Sequence, residues 1–547
     1  MLYIRSLQKS GEIDCSKRTG EGGHTMRVRQ HQGRFYHIAL IAVGLILVTA
    51  AASLGCTSVF VGKDASATGN PIIARMEDGA SAVSKYFVVS PARKLTKGET
   101  ETFFNGLTWG YPEDMKETLK FFSLPDFCYM DHSEDSWDGG LWPYSAAGIN
   151  SEGVSITATE TEDRNQKSHD ADPPTENGIE ECMIVGLILP RARTAREGVQ
   201  ILGDAIEKFG SAEDPYNDGM GEIAGLAIAD QDEVWYVEYA GHQWAAIRVP
   251  DDSYVINGNE SALRGLNVKD AVGKQKNAMA SPGVFSFAVE NQLPGYEDAD
   301  EKNFDFARAY GNVSKEDMAT YSAVRFWWGQ KWFTPSVEQE PGLGRYPFLM
   351  KPDKPITKEE IIAFFRSEGY PKDMDFDFEG YRPVSRCSNM EAHIIEMGEK
   401  GDFPWAIGTV MWLSLGPAMD SVYLPFHGGV NRSPAGFTIG TDVYDQESAS
   451  WAFRSVSALA RQKPEYQQNL RNFWNEYQQM LFTREAEISE QAMKLWKEGK
   501  EDEAIVYLTD QDVAIAEAAV KKARELEAQL ITALAQDDDG EFAPTME

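Results

Sequence analysis

The segment CTSVFVGKDASATGNPIIARMEDG, residues 56–79, has the outline of a β-hairpin. It contains a β-branched and aromatic run, VFV, then a stretch rich in turn-forming residues, and then a second apolar run, II. In an antiparallel pair the numbers of opposed residues sum to a constant, so a turn near the middle of the segment brings its ARMED end opposite Cys56. We therefore expect Arg75 and Asp78 to lie beside Cys56.

These three residues bring together a thiol, a guanidinium and a carboxylate. The thiolate is the attacking form of cysteine, and a nearby cation favours it. If the mature chain begins at Cys56, its free α-amine is a base matched to neutral pH. The pattern therefore predicts a nucleophilic site, whereas a surface ion pair beside a strand is the alternative role for Arg75 and Asp78.

The sequence before Cys56 has the pattern of a targeting segment. Three arginines precede the apolar run IALIAVGLIL, residues 38–47, which is short for a membrane-spanning helix and suits a signal peptide. The small residues Ser53 and Gly55 favour cleavage directly before Cys56. We predict that residues 1–55 are an extension and signal peptide that is removed, and that the protein is exported to the periplasm, the cell envelope or the extracellular space.

Several alternatives stay open for this end of the chain. Translation begins at Met1 or at Met26, and the cut before Cys56 is made either by an export peptidase or by the protein itself. A cysteine after an apolar segment can also be the lipid acceptor of a bacterial lipoprotein, although the leucine expected three residues earlier is replaced by Ser53. Lipid on Cys56 would block both thiol and amine, and the chain would then be a membrane-anchored binding protein.

Composition excludes several classes of protein. The 547 residues include 52 Lys plus Arg and 85 Asp plus Glu, and the net charge of −33 disfavours nucleic-acid binding. With 42% hydrophobic and 25% charged residues, and with 13 Trp, 21 Tyr and 27 Phe to fill a core, the chain is globular. Five cysteines are too few for a disulfide scaffold, but Cys128, Cys182 and Cys387 allow one disulfide.

The segments CTSVFVGKDAS and ARMED resemble the start of the dipeptidase A family of N-terminal-nucleophile cysteine hydrolases, relatives of choloylglycine hydrolase and penicillin V acylase. The family order continues through GINSEGVSITATETE, RVPDDSYVINGN, TYSAVRFWWGQKWFTPS, MEAHI and LSLGPAMDSVYLPFHGG. The resemblance implies an α+β fold, a four-layer αββα sandwich of antiparallel sheets with a C-terminal helical region. It also implies a cysteine dipeptidase that forms a thioester and needs no cofactor.

The resemblance further implies roles for individual residues. Cys56 is the nucleophile, and its own α-amine is the general base. Arg75 and Asp78 hold the thiol and the amine in place. Asn259 matches the asparagine whose side-chain amide donates to the tetrahedral oxyanion. Arg325 matches a buried arginine near the nucleophile.

Glu160 departs from the related bile-salt-type hydrolases, which carry an asparagine at this point. A carboxylate cannot donate to an oxyanion unless it is protonated, but it suits the free α-ammonium group of a dipeptide. We therefore expect Glu160 to bind substrate, the alternative being a solvated residue at a strand edge. The corresponding alternative function is an N-acyl amide hydrolase on the same fold, so the expected partner is a dipeptide or another small amide.

The remaining segments of the sequence predict the domain organisation. Residues 178–208 show helical periodicity, and amphipathic helices follow Ser448. We predict a catalytic domain over 56–447, helices packed on it over 448–535, and an acidic tail over 536–547.

No HExxH, CxxC, G-x-S-x-G or P-loop motif is present, so we expect no metal, and His393 and His427 are interpreted as structural. Membrane contact is expected only during export or through a lipid on Cys56. The resemblance also allows a homo-oligomer.

Overall fold

A computed structural model describes residues 55–79, 83–103, 105–127, 145–212, 222–313, 319–372, 374–398 and 404–546, without the side chains of 159–163, 222–223 and 538. The predicted targeting segment and Cys128 lie outside the described residues. Cys182 is buried and Cys387 is exposed, and no disulfide joins the two.

The described residues form eighteen strands, which are numbered in chain order. They are β1 Thr57–Val61, β2 Ile72–Asp78, β3 Val88–Ser90, β4 Thr100–Thr102, β5 Thr108–Gly110, β6 Phe121–Pro125, β7 Ser145–Asn150, β8 Ser155–Asp163, β9 Glu222–Ala229, β10 Val234–Ala240, β11 Gln243–Arg248, β12 Tyr254–Asn257, β13 Arg264–Leu266, β14 Ala278–Ala280, β15 Phe304–Asp305, β16 Asn389–Glu396, β17 Val410–Leu415 and β18 Leu424–His427.

The described residues also form eleven α-helices. They are α1 Gln166–Ala171, α2 Ile184–Ile188, α3 Ala195–Phe209, α4 Val284–Glu290, α5 Phe306–Tyr310, α6 Val324–Phe333, α7 Lys358–Phe365, α8 Trp405–Gly408, α9 Ala449–Ala460, α10 Pro464–Lys497 and α11 Glu501–Ala535. None of the helices in this described part is long and apolar enough to cross a membrane.

The predicted hairpin at residues 56–79 is present. Strands β1 and β2 are antiparallel, with Thr57 opposite Met76 and Ser58 opposite Arg75. Because side chains alternate along a strand, Cys56, Ser58 and Arg75 share one face of the hairpin. The local sequence pattern therefore places the guanidinium next to the thiol.

Two antiparallel sheets form the centre of the molecule. The six-stranded sheet has the order β12-β1-β2-β16-β17-β18, and the eight-stranded sheet has the order β14-β11-β10-β9-β8-β7-β6-β3. Between the sheets, Tyr236 of β10 packs against Phe60 of β1 with ring centroids 5.8 Å apart. On the other face of β10, Trp235 and Val237 share a second core with α3. One side of the sandwich is therefore covered by helices.

Helices also cover the outer face of the six-stranded sheet. Trp412 of β17 packs against Phe482 of α10 with ring centroids 5.0 Å apart. Gln478 of α10 binds the backbone nitrogen and oxygen of Tyr423 at 2.8 and 3.0 Å. The resulting order of helix, sheet, sheet and helix confirms the predicted α+β class and four-layer αββα sandwich with C-terminal helices. The predicted domain boundaries at 447 and 535 stay a prediction.

Two local predictions differ from the structure. The region 178–208, which shows helical periodicity, is not helical throughout and forms the two helices α2 and α3, because Pro190 has no N–H for a helical hydrogen bond and Thr194 caps a new helix by accepting from the backbone N–H of Glu197 at 3.1 Å. The acidic tail is not solvated throughout. Phe542 is buried and packs on Tyr466, although Asp537 and Asp539 are exposed.

Candidate active site

Cys56 lies directly before β1, and only 6% of its surface is exposed. Arg75 Nη2 donates a hydrogen bond to Cys56 Sγ at 2.9 Å, and the arginine is itself 2% exposed. A buried cation at hydrogen-bond distance stabilises negative charge on sulfur. The structure thus brings Cys56 and Arg75 together as the sequence predicts.

Glu77, which the sequence analysis did not single out, lies behind Arg75. Its Oε2 is 3.9 Å from Arg75 Nη1 and 2.6 Å from Lys85 Nζ. Burial disfavours the carboxylate, but the charges of Lys85 and Arg75 outweigh this effect and lower the pKa of Glu77. Lys85 also pairs with Asp126, whose pKa burial raises to about 8 in spite of Lys85. Arg75 is therefore positioned by a buried charge network.

His393 adjoins this network on β16, opposite Arg75 in the sheet. Its Nδ1 is 3.0 Å from Glu391 Oε1, and its Nε2 is 2.8 Å from Thr157 Oγ1. Both ring nitrogens therefore have protein partners, which suits a structural histidine. Within the described ranges, no group of three or more His, Cys, Asp or Glu side chains is arranged to hold a metal ion.

Arg325 lies in the first turn of α6, after a π-helical turn at Ala319–Ala323. Its Nη1 donates to the carbonyl oxygens of Gly55, at 3.2 Å, and of Cys56, and to Thr57 Oγ1 at 3.0 Å. The predicted buried arginine near the nucleophile is thus bound to the backbone on both sides of the Gly55–Cys56 peptide bond.

Asn259 follows β12 and is held by Arg325. Arg325 Nη2 donates to Asn259 Oδ1 at 2.8 Å. Because a guanidinium has only donors, the amide oxygen must face it, and the Asn259 NH₂ group lies on the other branch. A Cβ on residue 55 would come within 2.9 Å of the same Oδ1, so the side chain also adjoins Gly55. The Asn259 NH₂ group is therefore directed away from Arg325, on a side chain that lies close to Gly55.

Arg382 is a site residue that the sequence analysis missed. It lies in the segment between α7 and β16, is 6% exposed, and donates from Nη2 to the Gly55 carbonyl oxygen. The same nitrogen pairs with Asp78, which also accepts a hydrogen bond from Asn389 Nδ2. No local sequence pattern marks Arg382, because it approaches Gly55 from a position 327 residues away.

Burial and the charge of Arg386 lower the pKa of Arg382 to about 9, while Cys56 acts in the opposite direction. Asp78 on β2 is therefore linked through Arg382 to the backbone directly before Cys56.

Glu160 lies on β8, opposite Gly225 of β9. Its side chain is among those that the structure does not describe, so its role in substrate binding stays a prediction.

A second buried histidine lies elsewhere, at the junction of β18 with α10 and α11. His427 Nδ1 is 2.8 Å from Asp512 Oδ1, and its Nε2 is 3.0 Å from Ser489 Oγ. The three side chains have the order of a serine-protease triad. However, Asp512 and Glu485 outweigh the effect of burial and raise the pKa of His427 to about 10. An imidazolium has no lone pair to accept the serine proton, so this cluster is an ionic link between sheet and helices.

Ser489 and Glu485 also line a cavity of about 830 Å³, together with Thr68, Glu396 and Trp412. Thr68 and Glu396 lie near the hairpin turn, at the end of β2 remote from Cys56. This cavity is therefore separate from the thiol.

Several known proteins are similar to this chain in sequence. Residues 55–479 match peptidase family C69. The chain is 34% identical to a Salmonella dublin protein described as "Probable dipeptidase", over 72% of this chain and 86% of that protein. It is 30% identical to "Dipeptidase" of Bifidobacterium longum, over 74% and 77% of the two chains, and 31% identical to "Dipeptidase A" of Lactobacillus helveticus, over 69% and 76%. These matches confirm the resemblance to the dipeptidase A family, and the chain belongs to peptidase family C69.

Proposed function

We propose that the mature protein is an exported cysteine dipeptidase with Cys56 as its first residue and nucleophile. The contact that carries the proposal is the 2.9 Å hydrogen bond from Arg75 Nη2 to Cys56 Sγ, at the start of a buried strand. Support also comes from the family match, which begins at residue 55, and from the names of the relatives, which describe dipeptidases. The apolar segment before Ser53 supports export.

The residues present suit a two-step acyl transfer. Once residues 1–55 are removed, the Cys56 α-amine takes the thiol proton, and Sγ attacks the peptide carbonyl of the substrate. The Asn259 amide donates to the resulting oxyanion. The C–N bond then breaks, the α-ammonium returns the proton to the leaving amine, and a thioester remains on Sγ. Water that has lost a proton to the amine hydrolyses the thioester, which releases the N-terminal amino acid and restores the thiol.

Glu160 is proposed to bind the α-ammonium group of the dipeptide. Support comes from charge complementarity alone, since a carboxylate attracts an ammonium group and cannot stabilise an oxyanion. This residue would separate dipeptides from N-acylated amides, which have no such ammonium group.

One set of measurements tests the proposal. Mass and N-terminal sequence of the mature protein should show Cys56 at the terminus without a modification, whereas lipid on Cys56 would instead support an anchored binding protein. The purified protein should hydrolyse a dipeptide faster than the same dipeptide N-acetylated, and the opposite order would support an N-acyl amide hydrolase. Cys56→Ala should abolish hydrolysis with an unchanged unfolding midpoint, and retained activity would exclude this mechanism.

A further inference from the structure

Arg382 is a buried cation with donors left over. Its Nη2 contacts the Gly55 carbonyl and Asp78, but its Nε and Nη1 are buried and have no hydrogen-bond partner among the residues that the structure describes. A buried N–H without a partner costs free energy, and more so on a charged group. A guanidinium with this geometry is suited to a planar anion that can accept two hydrogen bonds.

All three side-chain nitrogen atoms of the neighbouring Arg325 donate hydrogen bonds within the protein. Its Nε donates to the Tyr321 carbonyl at 2.9 Å, and its two terminal nitrogens bind Gly55, Cys56, Thr57, Asn259 and Ser322. These partners are all uncharged groups. Arg75 is bound to the nucleophile itself. Arg382 is therefore a guanidinium at this site whose Nε and Nη1 can donate to a ligand.

The local charge balance favours an anion. Asp78 pairs with Arg382, and Glu260, which interacts with Arg325, has a pKa that burial raises to about 8 in spite of the nearby arginines. Burial and the nearby charge of Arg386 disfavour the charged form of Arg382 and lower its pKa to about 9, so a bound anion would stabilise that form.

The position of Arg382 close to the nucleophile restricts which anion can bind to it. In a dipeptide, only the α-carbon separates the α-carboxylate from the nitrogen of the scissile bond, so that carboxylate must lie close to the nucleophile. Arg382 contacts the Gly55 carbonyl oxygen, which belongs to the residue bonded to the Cys56 nitrogen. Removal of residues 1–55 would free the space that Gly55 occupies beside Arg382, and the substrate would then bind there.

We propose that Arg382 binds the α-carboxylate of the substrate and thereby limits hydrolysis to peptides that end one residue after the scissile bond. This inference rests on the proposed function as a dipeptidase. It makes Arg382 a specificity-determining residue, distinct from Arg75, which contacts the attacking sulfur.

The test compares kcat/KM for a dipeptide and for the same dipeptide with a C-terminal amide. The wild-type protein should prefer the free acid by about 100-fold, because the amide leaves a charged donor unpaired. Arg382→Gln should reduce this preference to less than about threefold, mainly by raising KM for the free acid, and Arg382→Lys should retain part of it. Arg386→Gln, which removes a charge from the same segment, is the matched control and should keep the full preference.

The outcomes separate this inference from the proposed function. If the wild-type protein cleaves neither compound, the dipeptidase proposal fails. If it cleaves both equally, the dipeptidase proposal stands and the role of Arg382 is overturned. Because Arg382 also contacts Gly55, the mass of each variant is measured. Should Arg382→Gln retain residues 1–55, the wild-type preference and its decrease in Arg382→Lys decide the question.

Discussion

Arg75 and Cys56 are joined by a hydrogen bond of 2.9 Å from Nη2 to Sγ, and both side chains are buried. The register of the hairpin fixes this contact, because Ser58 faces Arg75 across β1 and β2. Glu77, which forms an ion pair with Lys85, contacts the Arg75 guanidinium at Nη1. The position of the cation is thus determined before any substrate binds.

Removing this cation should make the thiolate harder to form. We expect Arg75→Gln to lower kcat/KM for a dipeptide by at least about 100-fold and to move the acid side of the pH–rate profile to higher pH. Arg75→Lys retains the charge and should show the smaller shift. Activity measured from pH 5 to 9 checks this, and a profile that only loses height would contradict it.

Asn259 should act in the transition state. Asn259→Ala is expected to lower kcat by about 10²–10³-fold with little change in KM, because the oxyanion loses an N–H donor. Asn259→Asp is the sharper variant, since it keeps an acceptor for Arg325 but has no N–H group. Steady-state kinetics should show both variants equally impaired. Recovery in Asn259→Asp would mean that the contact with Arg325 matters and that oxyanion donation does not.

Glu160 should affect substrates according to their N-terminal charge. We expect Glu160→Gln to lower kcat/KM for a dipeptide by about tenfold, because the ammonium group loses an ionic partner. Hydrolysis of the N-acetylated dipeptide should stay within about twofold of wild type. Equal losses on the two compounds would remove the proposed contact.

His427 should stabilise the fold in a pH-dependent way. Its pKa is raised from 6.5 to about 10, so the folded protein holds a proton that the unfolded chain loses between these values. The stabilisation is therefore complete below pH 6.5 and is lost as the pH rises through about 10. Asp512→Asn, which leaves the buried imidazolium without its main partner, should cost about 3–5 kcal/mol at pH 6.

Urea unfolding from pH 6 to pH 10.5 checks this prediction. The difference in unfolding free energy between wild type and His427→Gln should decrease steadily as the pH rises. The groups that face the imidazole are Asp512 on α11 and Glu485 and Ser489 on α10. A difference that stays constant with pH would show that His427 is neutral in the folded protein.

The sequence by itself determined the elements that depend only on residues close together in the chain. The hairpin, its register and the place of Arg75 follow from apolar runs, a turn-rich middle and the antiparallel pairing rule. Helices α10 and α11 follow from periodicity and cover the predicted C-terminal region. The ordered segments of the family also predicted the αββα layers.

Only the tertiary structure decided how distant residues meet at the site. Arg325 and Arg382 converge on the Gly55 carbonyl from positions 270 and 327 residues away. Asp78 is bound by Arg382 and by Asn389, which is 311 residues away in the chain. The physical reason is that propensity and pairing act between near neighbours, whereas a buried cation's partners are decided by which chain segments pack beside it.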